Sequence, residues 1–328
     1  MTSFSPNKDF AYYLYWIAER QNIFWRRFYG EGAPYTDDPI LQQYKFTNVY
    51  RVLDRASQYL LQHVIYNGNT YSNEDMFWRI LLFKHYNSPA TWEYLITTIG
   101  DITLETDIDD IAECLTERRQ QGIPIYSNAY MLTASFMRNP RILSRWGMHQ
   151  VEEKHVAYLQ LFKVTILNTN YYADIIKART FKQAYNMLSR IPTIADFLSY
   201  QYVQDLNYST IYDFDDNEFC AAGFGTIRGI ARTFNINGTP QYDVIIKWVY
   251  NHFTDLCNDY GIDFNSLPGR RPQVPDLSNC FCETDKYMRV AKVETDKNIR
   301  GSRMKNHFVA NTKRINYIFP PKWGVKNL

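Results

Sequence analysis

Apolar residues recur three and four positions apart along most of this chain, a spacing that fits helices and excludes extensive sheet. Between residues 49 and 64, Val52, Ala56, Tyr59, Leu60, His63 and Val64 share one face, and Arg51, Asp54, Arg55 and Gln58 share the other. Similar patterns run over 74–86, 89–99, 108–121, 127–137, 147–166, 178–189, 194–205 and 242–259. Several open on capping residues: Ser72 or Asn73 before Glu74, Ser88 before Pro89, and Thr180 before Phe181. Strand-like runs are few and short. The pattern predicts an all-α, multi-helical protein of roughly eight to ten helices. Breaks fall at Gly122–Pro124, Gly238–Pro240 and 261–275, the last with Pro268, Gly269, Pro272 and Pro275. That stretch reads as a linker, so the expected organisation is a helical body over 1–260 and, over 261–328, a linker and basic C-terminal extension packing on the body.

Charge is unevenly spread. From Lys286 onward there are 11 Lys and Arg against Glu294 and Asp296, whereas the whole chain is only +2, so the preceding residues are net acidic. A basic extension on an acidic body is either a polyanion-binding element or a solvated terminus. Aromatic residues make up 16% of the chain, enough for large cores and for stacking surfaces. No stretch approaches the roughly 20 apolar residues of a membrane span. The first residues lack the basic-then-apolar order of a secretory signal. Five scattered Cys (114, 220, 257, 280, 282) suit a reducing cytoplasm, and the Cys280-x-Cys282 pair has no second pair to complete a zinc framework. Zinc-peptidase, zinc-deaminase and hydrolase-elbow motifs are absent, as is a Walker A loop, which argues against a self-contained P-loop kinase.

Three local groupings carry chemical information. In Leu188–Phe197 a helix ends, Ile191 and Ile194 flank a short turn, and a second helix begins. This is the outline of a degenerate helix–hairpin–helix, with Thr193 and Ala195 where glycines let the backbone approach DNA phosphates, or of an ordinary αα-corner. Beyond it lie Asp205 and then Asp213, Asp215, Asp216 and Glu218, which fit either a catalytic acid cluster or a helix start favoured by the macrodipole. Gly223-Phe-Gly225-Thr-Ile-Arg228-Gly229 reads as a flexible anion nest ahead of a helix. Asn279 to Tyr287 mixes Glu283, Asp285 and Lys286 with a phenol, and is either a proton-handling site or a surface turn.

These stretches, taken in order, resemble a family. Trp16-Ile-Ala-Glu19-Arg20, Ile23-Phe-Trp-Arg26-Arg27, Tyr35-Thr-Asp37-Asp38-Pro39, Tyr44 through Arg55, Phe77-Trp-Arg79, Thr91-Trp92, Glu218 through Gly225 and Asn279 through Tyr287 carry the likeness. They are similar to the phage thymine-hypermodification family, the α-glutamyl/putrescinyl thymine pyrophosphorylases or amino acid:DNA transferases, which share a helical domain with 5-hydroxymethyluracil DNA kinases. The departures are Phe224 in place of a proline, and the missing hairpin glycines.

The resemblance implies a DNA-glycosylase-like helical fold acting on duplex DNA that carries modified uracil. The implied reaction displaces pyrophosphate from 5-pyrophosphoryloxymethyl-deoxyuridine with an amino acid or polyamine. A 5-hydroxymethyluracil DNA kinase is the implied partner, and a bacterial host's cytoplasm the place of action for a phage-encoded chain. On that basis Arg51, Arg55, Asn48 and Arg228 are expected to hold pyrophosphate. Glu283, Asp285, Lys286 and Asp205 are the expected catalytic groups. Asp215, Asp216 and Glu218 would hold the amine or a divalent metal on pyrophosphate. Thr193, Ala195, Arg300, Arg303 and Lys305 would grip DNA phosphates. The rivals are a base-excising glycosylase and a non-catalytic DNA-binding partner of such a kinase.

Overall fold

The computed structural model describes residues 3–127, 132, 135–292, 304, 306–309, 311, 314–325 and 328. Strand β1 (Ser3–Pro6), helix α1 (Phe10–Phe28) and short helix α2 (Pro39–Gln43) come first, followed by a 3-10 turn at Arg51–Leu53. Next are α3 (Arg55–Tyr59), α4 (Asn73–Tyr86), α5 (Pro89–Ile99), α6 (Ile108–Gln120) and α7 (Pro140–Arg145). Helices α8 (Lys154–Phe162), α9 (Tyr171–Ile175), α10 (Phe181–Leu188) and α11 (Asp196–Leu206) follow. The chain continues through α12 (Phe224–Thr233), β2 (Phe234–Asn237), α13 (Tyr242–Asn251), α14 (Phe253–Asp259) and α15 (Val274–Ala291). The all-α expectation holds. The two strands form one antiparallel ribbon with Phe4 opposite Ile236. Among the described residues no helix is long and apolar enough to cross a membrane.

Contacts divide the chain into two units. One is assembled from Met1–Asp54 and Phe219–Leu328, and the other is the continuous segment Arg55–Glu218. The end of the 261–275 stretch is helical: Pro275 sits in the first turn of α15, where a missing N–H costs nothing. That helix is central to the first unit. Tyr13 of α1 stacks on its Phe281 with ring centroids 4.0 Å apart, and the Tyr13 hydroxyl donates to the Leu277 carbonyl at 3.1 Å. Described parts of the C-terminal segment also pack here: the Phe308 N–H donates to the Gln43 carbonyl at 2.9 Å, and Tyr44 bridges His307.

Helices of the second unit start where capping chemistry places them. The Ser72 hydroxyl accepts from the Asp75 N–H, that of Ser88 from Thr91, and that of Thr180 from Gln183. Its core gathers Phe77, Trp78, Leu81 and Phe83 of α4 with Tyr158 and Phe162 of α8, all at most 1% exposed. Each such side chain contributes roughly 1.5–3 kcal/mol on burial.

Three expected helices are interrupted. The 49–64 pattern breaks at Asp54, whose backbone is extended (ψ 144°), and its later part widens into a π-helical stretch at Leu60–Ile65. The Asp54 carboxylate accepts from the Asn48 N–H at 2.8 Å and so holds a loop where the apolar spacing implied a helix. The 147–166 pattern begins only at Lys154, because Gly147 adopts φ +60° and Glu153 is extended. The 242–259 pattern is cut at His252. Of 127–137, the described residues show a 3-10 turn beginning at Ser135.

A candidate phosphate-binding face on helix α15

Two stripes of polar side chains run along α15. Asp276, Asn279, Glu283 and Lys286 form one and Ser278, Cys282, Asp285 and Arg289 the other, each spaced at three and four residues and therefore lying on one helix face. The 47–54 loop covers the first stripe. The Asp276 carboxylate accepts from the Arg51 N–H at 2.9 Å and from the Gln273 N–H at 3.0 Å, which also caps the helix. Asn279 donates to the Thr47 hydroxyl at 2.8 Å and accepts from the Arg51 guanidinium at 3.0 Å. Glu283, only 1% exposed, accepts from the Thr47 N–H at 3.2 Å and from the Lys286 ammonium. Two of the stretches that carry the family likeness, Tyr44 through Arg55 and Asn279 through Tyr287, are distant in the chain yet form one surface.

Arg20 of α1 locks the loop from beneath. Its Nε donates to the Thr47 carbonyl at 2.9 Å and one terminal nitrogen to the Asn48 side chain at 2.8 Å. The other terminal nitrogen is buried without a hydrogen-bond partner among the described residues. Burial lowers the Arg20 pKa to about 10, against the pull of Asp54.

Helix α12 lies against the second stripe. A Cβ on Gly225 would collide with the Cys282 sulfur, and one on Gly229 with the Phe281 carbonyl oxygen. The expected glycine nest is therefore a helix-packing seam: the helix begins at Phe224, and Gly225 and Gly229 serve close approach of α12 to α15. The Thr226 hydroxyl completes the seam by donating to the Ser278 carbonyl at 2.9 Å. This approach brings Arg228 and Arg232 to Asp285, whose fully buried carboxylate takes their Nε donors at 3.0 and 2.9 Å. Arg289 stands 3.6 Å from the same carboxylate. Three guanidiniums on one carboxylate make Asp285 an anchor for cations, not the expected proton acceptor.

The face carries Arg20, Arg51, Arg228, Arg232, Lys286 and Arg289 against Asp54, Asp276, Glu283 and Asp285, an excess of two positive charges. Burial works to lower the Lys286 pKa, but the Glu283 carboxylate and the Cys282 sulfur together hold the ammonium above its ordinary value. Burial pushes the Asp54 carboxyl up, opposed by Arg51 at 3.7 Å. At the start of α12, Phe224 is 85% exposed, one turn before Arg228.

Other expected site residues lie elsewhere. Asn48 uses its amide within the loop, donating to the Leu53 carbonyl at 2.8 Å and to Asp54 while accepting from Arg20, so it acts as a loop lock and not a phosphate ligand. Arg55 opens α3 in the second unit and does not share a helix with Arg51, because Asp54 separates them. Asp205 is a buried partner of Lys84 at 2.7 Å within the second unit. Asp215, Asp216 and Glu218 diverge: Asp215 accepts from Asn217, Asp216 from the Asn207 amide at 2.9 Å, and Glu218 from the Phe181 N–H at 3.4 Å. Among the described residues no three His, Cys, Asp or Glu side chains are grouped to hold a metal ion. Cys280 and Cys282 are free thiols two residues apart on a helix; Cys280 is buried, while Cys282 is partly exposed.

The hairpin outline is present. Helices α10 and α11 flank a turn in which Ile191 and Ile194 are buried, and Thr193 takes the left-handed φ of +70° that usually calls for glycine. Ala195 is the extended residue before α11. Arg300, Arg303 and Lys305 lie outside the described residues. Sequence reasoning missed Arg20, Thr47, Asp276, Arg232 and Arg289. The three-and-four spacing of Asp276, Asn279, Glu283 and Lys286 is the sequence signal for the first stripe.

The described structure is thus a predominantly helical protein with a cluster of cations along α15, and comparison with known proteins places it in a family. Residues 7–297 match the helical domain of 5-hmdU DNA kinases, so the chain belongs to that helical-domain family. It is similar to a 5-hmdU DNA kinase of Bacillus phage SP10, 24% identical over 315 residues, covering 93% of this chain and 49% of the relative. The chain therefore spans about half the length of that curated relative. No solved structure matches it.

Proposed function

We propose that this chain binds DNA bearing 5-substituted deoxyuridine and transfers an amine onto it, displacing pyrophosphate from 5-pyrophosphoryloxymethyl-deoxyuridine. The observation that carries the reading is the cationic face of α15, where buried Glu283 and Asp285 hold Lys286, Arg228, Arg232 and Arg289 in place. Fixed cations stabilise a leaving oxyanion without reorganising during the reaction. In the reaction the amine nitrogen forms a bond to the exocyclic methylene carbon. The carbon–oxygen bond breaks, its electron pair leaves on pyrophosphate, and the surplus N–H proton passes to a carboxylate. Asp54 suits that last role, since burial makes its carboxylate more basic than a surface one. Glu283 instead orients the Lys286 ammonium toward the leaving group. A divalent ion, where one takes part, would arrive on the pyrophosphate oxygens. Exposed Phe224 is suited to stacking on a base drawn out of the duplex, a contact worth roughly 1–3 kcal/mol. The bacterial host's cytoplasm, where phage DNA resides, is the setting this reading requires.

A second reading has its own support. The match is to the helical domain of kinases, and half of the curated relative lies outside it, which favours a DNA-holding module working beside a separate 5-hydroxymethyluracil DNA kinase. Base excision loses its main argument, because the acids near Asp215 diverge.

The deciding experiment is mass spectrometry of nucleosides from 5-pyrophosphoryloxymethyluracil DNA incubated with the protein and pooled amines. A new amine adduct, absent with Arg51→Ala and Lys286→Ala, supports transfer. Unaltered nucleosides together with salt-sensitive DNA binding support the module reading, and released free base restores excision.

A further inference from the structure

Described residues near the C-terminus cross the chain just before it enters the loop that covers α15. The Lys45 N–H donates to the Asn306 carbonyl and the Phe308 N–H to the Gln43 carbonyl, each at 2.9 Å. These two bonds flank Tyr44 and His307, which oppose each other as an antiparallel bridge with ring centroids 5.3 Å apart. Two residues beyond Lys45 comes Thr47, whose N–H donates to Glu283 and whose carbonyl accepts from Arg20. Phe46 joins the two, packed against Trp16 of α1 and Tyr287 of α15 with centroids 6.0 and 6.4 Å away. The C-terminal rung thus fastens one arm of the loop.

That rung is weaker than the anchor beyond it. Gln43, Lys45, Asn306 and His307 are exposed, and Val309 beside them is 81% exposed, so water competes for both bonds. Further along, the segment is held by apolar burial. Tyr317 meets Phe24 edge-on at 5.2 Å, Phe319 is buried, and Trp323 lies 3.6 Å from the Arg270 guanidinium. Phe24 belongs to α1, the helix that carries Arg20. A segment pinned by its rings at one end and by two solvent-facing bonds at the other opens at the weak end first.

We infer that residues 306–308 are a detachable strap: fastened on 43–45 they steady the 47–54 loop over α15, and released they loosen it. The two states differ by two backbone bonds and one ring contact, a gap small enough to leave the released state measurably populated. An anion at the α15 face meets Arg51 only while the loop is in place, so anion binding and strap closure favour each other. That coupling rests on the proposed function, whereas the strap and its hold on the loop do not.

The test is amide hydrogen exchange of the full chain, read by NMR at Lys45, Thr47 and Phe281, the last inside α15. In the parent chain Lys45 should exchange much faster than Phe281. Phe308→Pro removes the N–H that donates to Gln43. It should speed exchange at both Lys45 and Thr47 roughly 3- to 10-fold, the weight of one backbone hydrogen bond in an opening equilibrium. Tyr44→Cys combined with His307→Cys should act the other way once oxidised. Opposed residues of this kind have Cα atoms about 4.5 Å apart, within the reach of a disulfide, and the cross-link should slow both amides. Equal thermal midpoints of the parent and the reduced double variant would show that the fold is kept. Lys45 as slow as Phe281 in the parent would overturn the inference, since the strap would not detach. So would altered exchange at Lys45 with Thr47 unchanged, because the strap would then not hold the loop. Inorganic pyrophosphate added to the parent separates this inference from the proposed reaction. Slower exchange at Lys45 and Thr47 supports both, whereas no response, with the variants behaving as expected, rejects the anion site and keeps the strap.

Discussion

Asp285 shows how a single buried charge can organise a surface. It takes no exposure of its own, yet it fixes two arginines from α12 and a third one turn further along α15. Replacing it with Asn leaves three guanidiniums crowded without their counter-charge, and breaking a buried pair in this way costs roughly 3–5 kcal/mol. Asp285→Asn should therefore lower the urea midpoint by an amount corresponding to that range, whereas the same change at exposed Asp215 should shift it by less than about 0.5 kcal/mol. Equal small effects at both positions would show that the guanidinium cluster does not depend on Asp285. Histidines set a second residue-level expectation. Burial lowers His85 to about 3 and His155 to about 4, with Lys154 and Arg119 respectively adding to the effect. Both folded-state values lie below the ordinary 6.5, so the unfolded chain takes up protons first. Stability is complete above about pH 6.5 and falls as pH drops toward 4 and then 3. For His155 the loss is about 3 kcal/mol at roughly 1.4 kcal/mol per unit. Urea midpoints at pH 7 and 4.5 should converge in His155→Gln relative to the parent chain, and an undiminished acid loss would refute this assignment.

At the scale of elements, the seam between α12 and α15 decides the face. Gly229→Ala should be destabilising by about 1–3 kcal/mol, because the added methyl meets the Phe281 carbonyl and helix backbones do not yield as a flexible side chain would. Thermal unfolding would measure this, and Gly324→Ala, with open space around its Cβ, is not a clean control because of its φ of +61°. Gly32→Ala, with open space and no such φ, serves instead. Should Gly229→Ala melt with the parent chain, the helices must be able to separate at this point. Most helices could be read from the sequence. The 74–86 and 89–99 patterns match α4 and α5 within a residue, because local capping by Ser72 and Ser88 agrees with the apolar period. Helix α15 could not be read so directly. Its Pro-rich approach looks like a linker, and its face mixes Asp, Asn, Glu and Lys, whose burial makes sense only once the 47–54 loop and α12 cover them.

For the whole molecule, the two units have different chain logic. Arg55–Glu218 is continuous, whereas the other unit is closed by segments from both ends of the sequence. The continuous segment has its own core and capped helices, so residues 55–218 expressed alone should give a cooperative thermal transition with helical circular dichroism. A non-cooperative melt would mean that the unit depends on the rest of the chain. What the sequence determined by itself was local: helical period, caps, the turn between Ile191 and Ile194, and the signatures that placed the chain with a family. These are encoded within a few residues of one another, where propensity and hydrogen bonding act without long-range help. The tertiary structure alone decided which charges meet. Lys84 with Asp205, Arg20 with the 47–54 loop, and three arginines on Asp285 pair residues whose partners cannot be known until packing removes water around them. Charge is expensive to bury without a counterpart, so the fold selects partners by proximity in the packed state, and that selection made an anchor of a carboxylate the sequence offered as a catalyst.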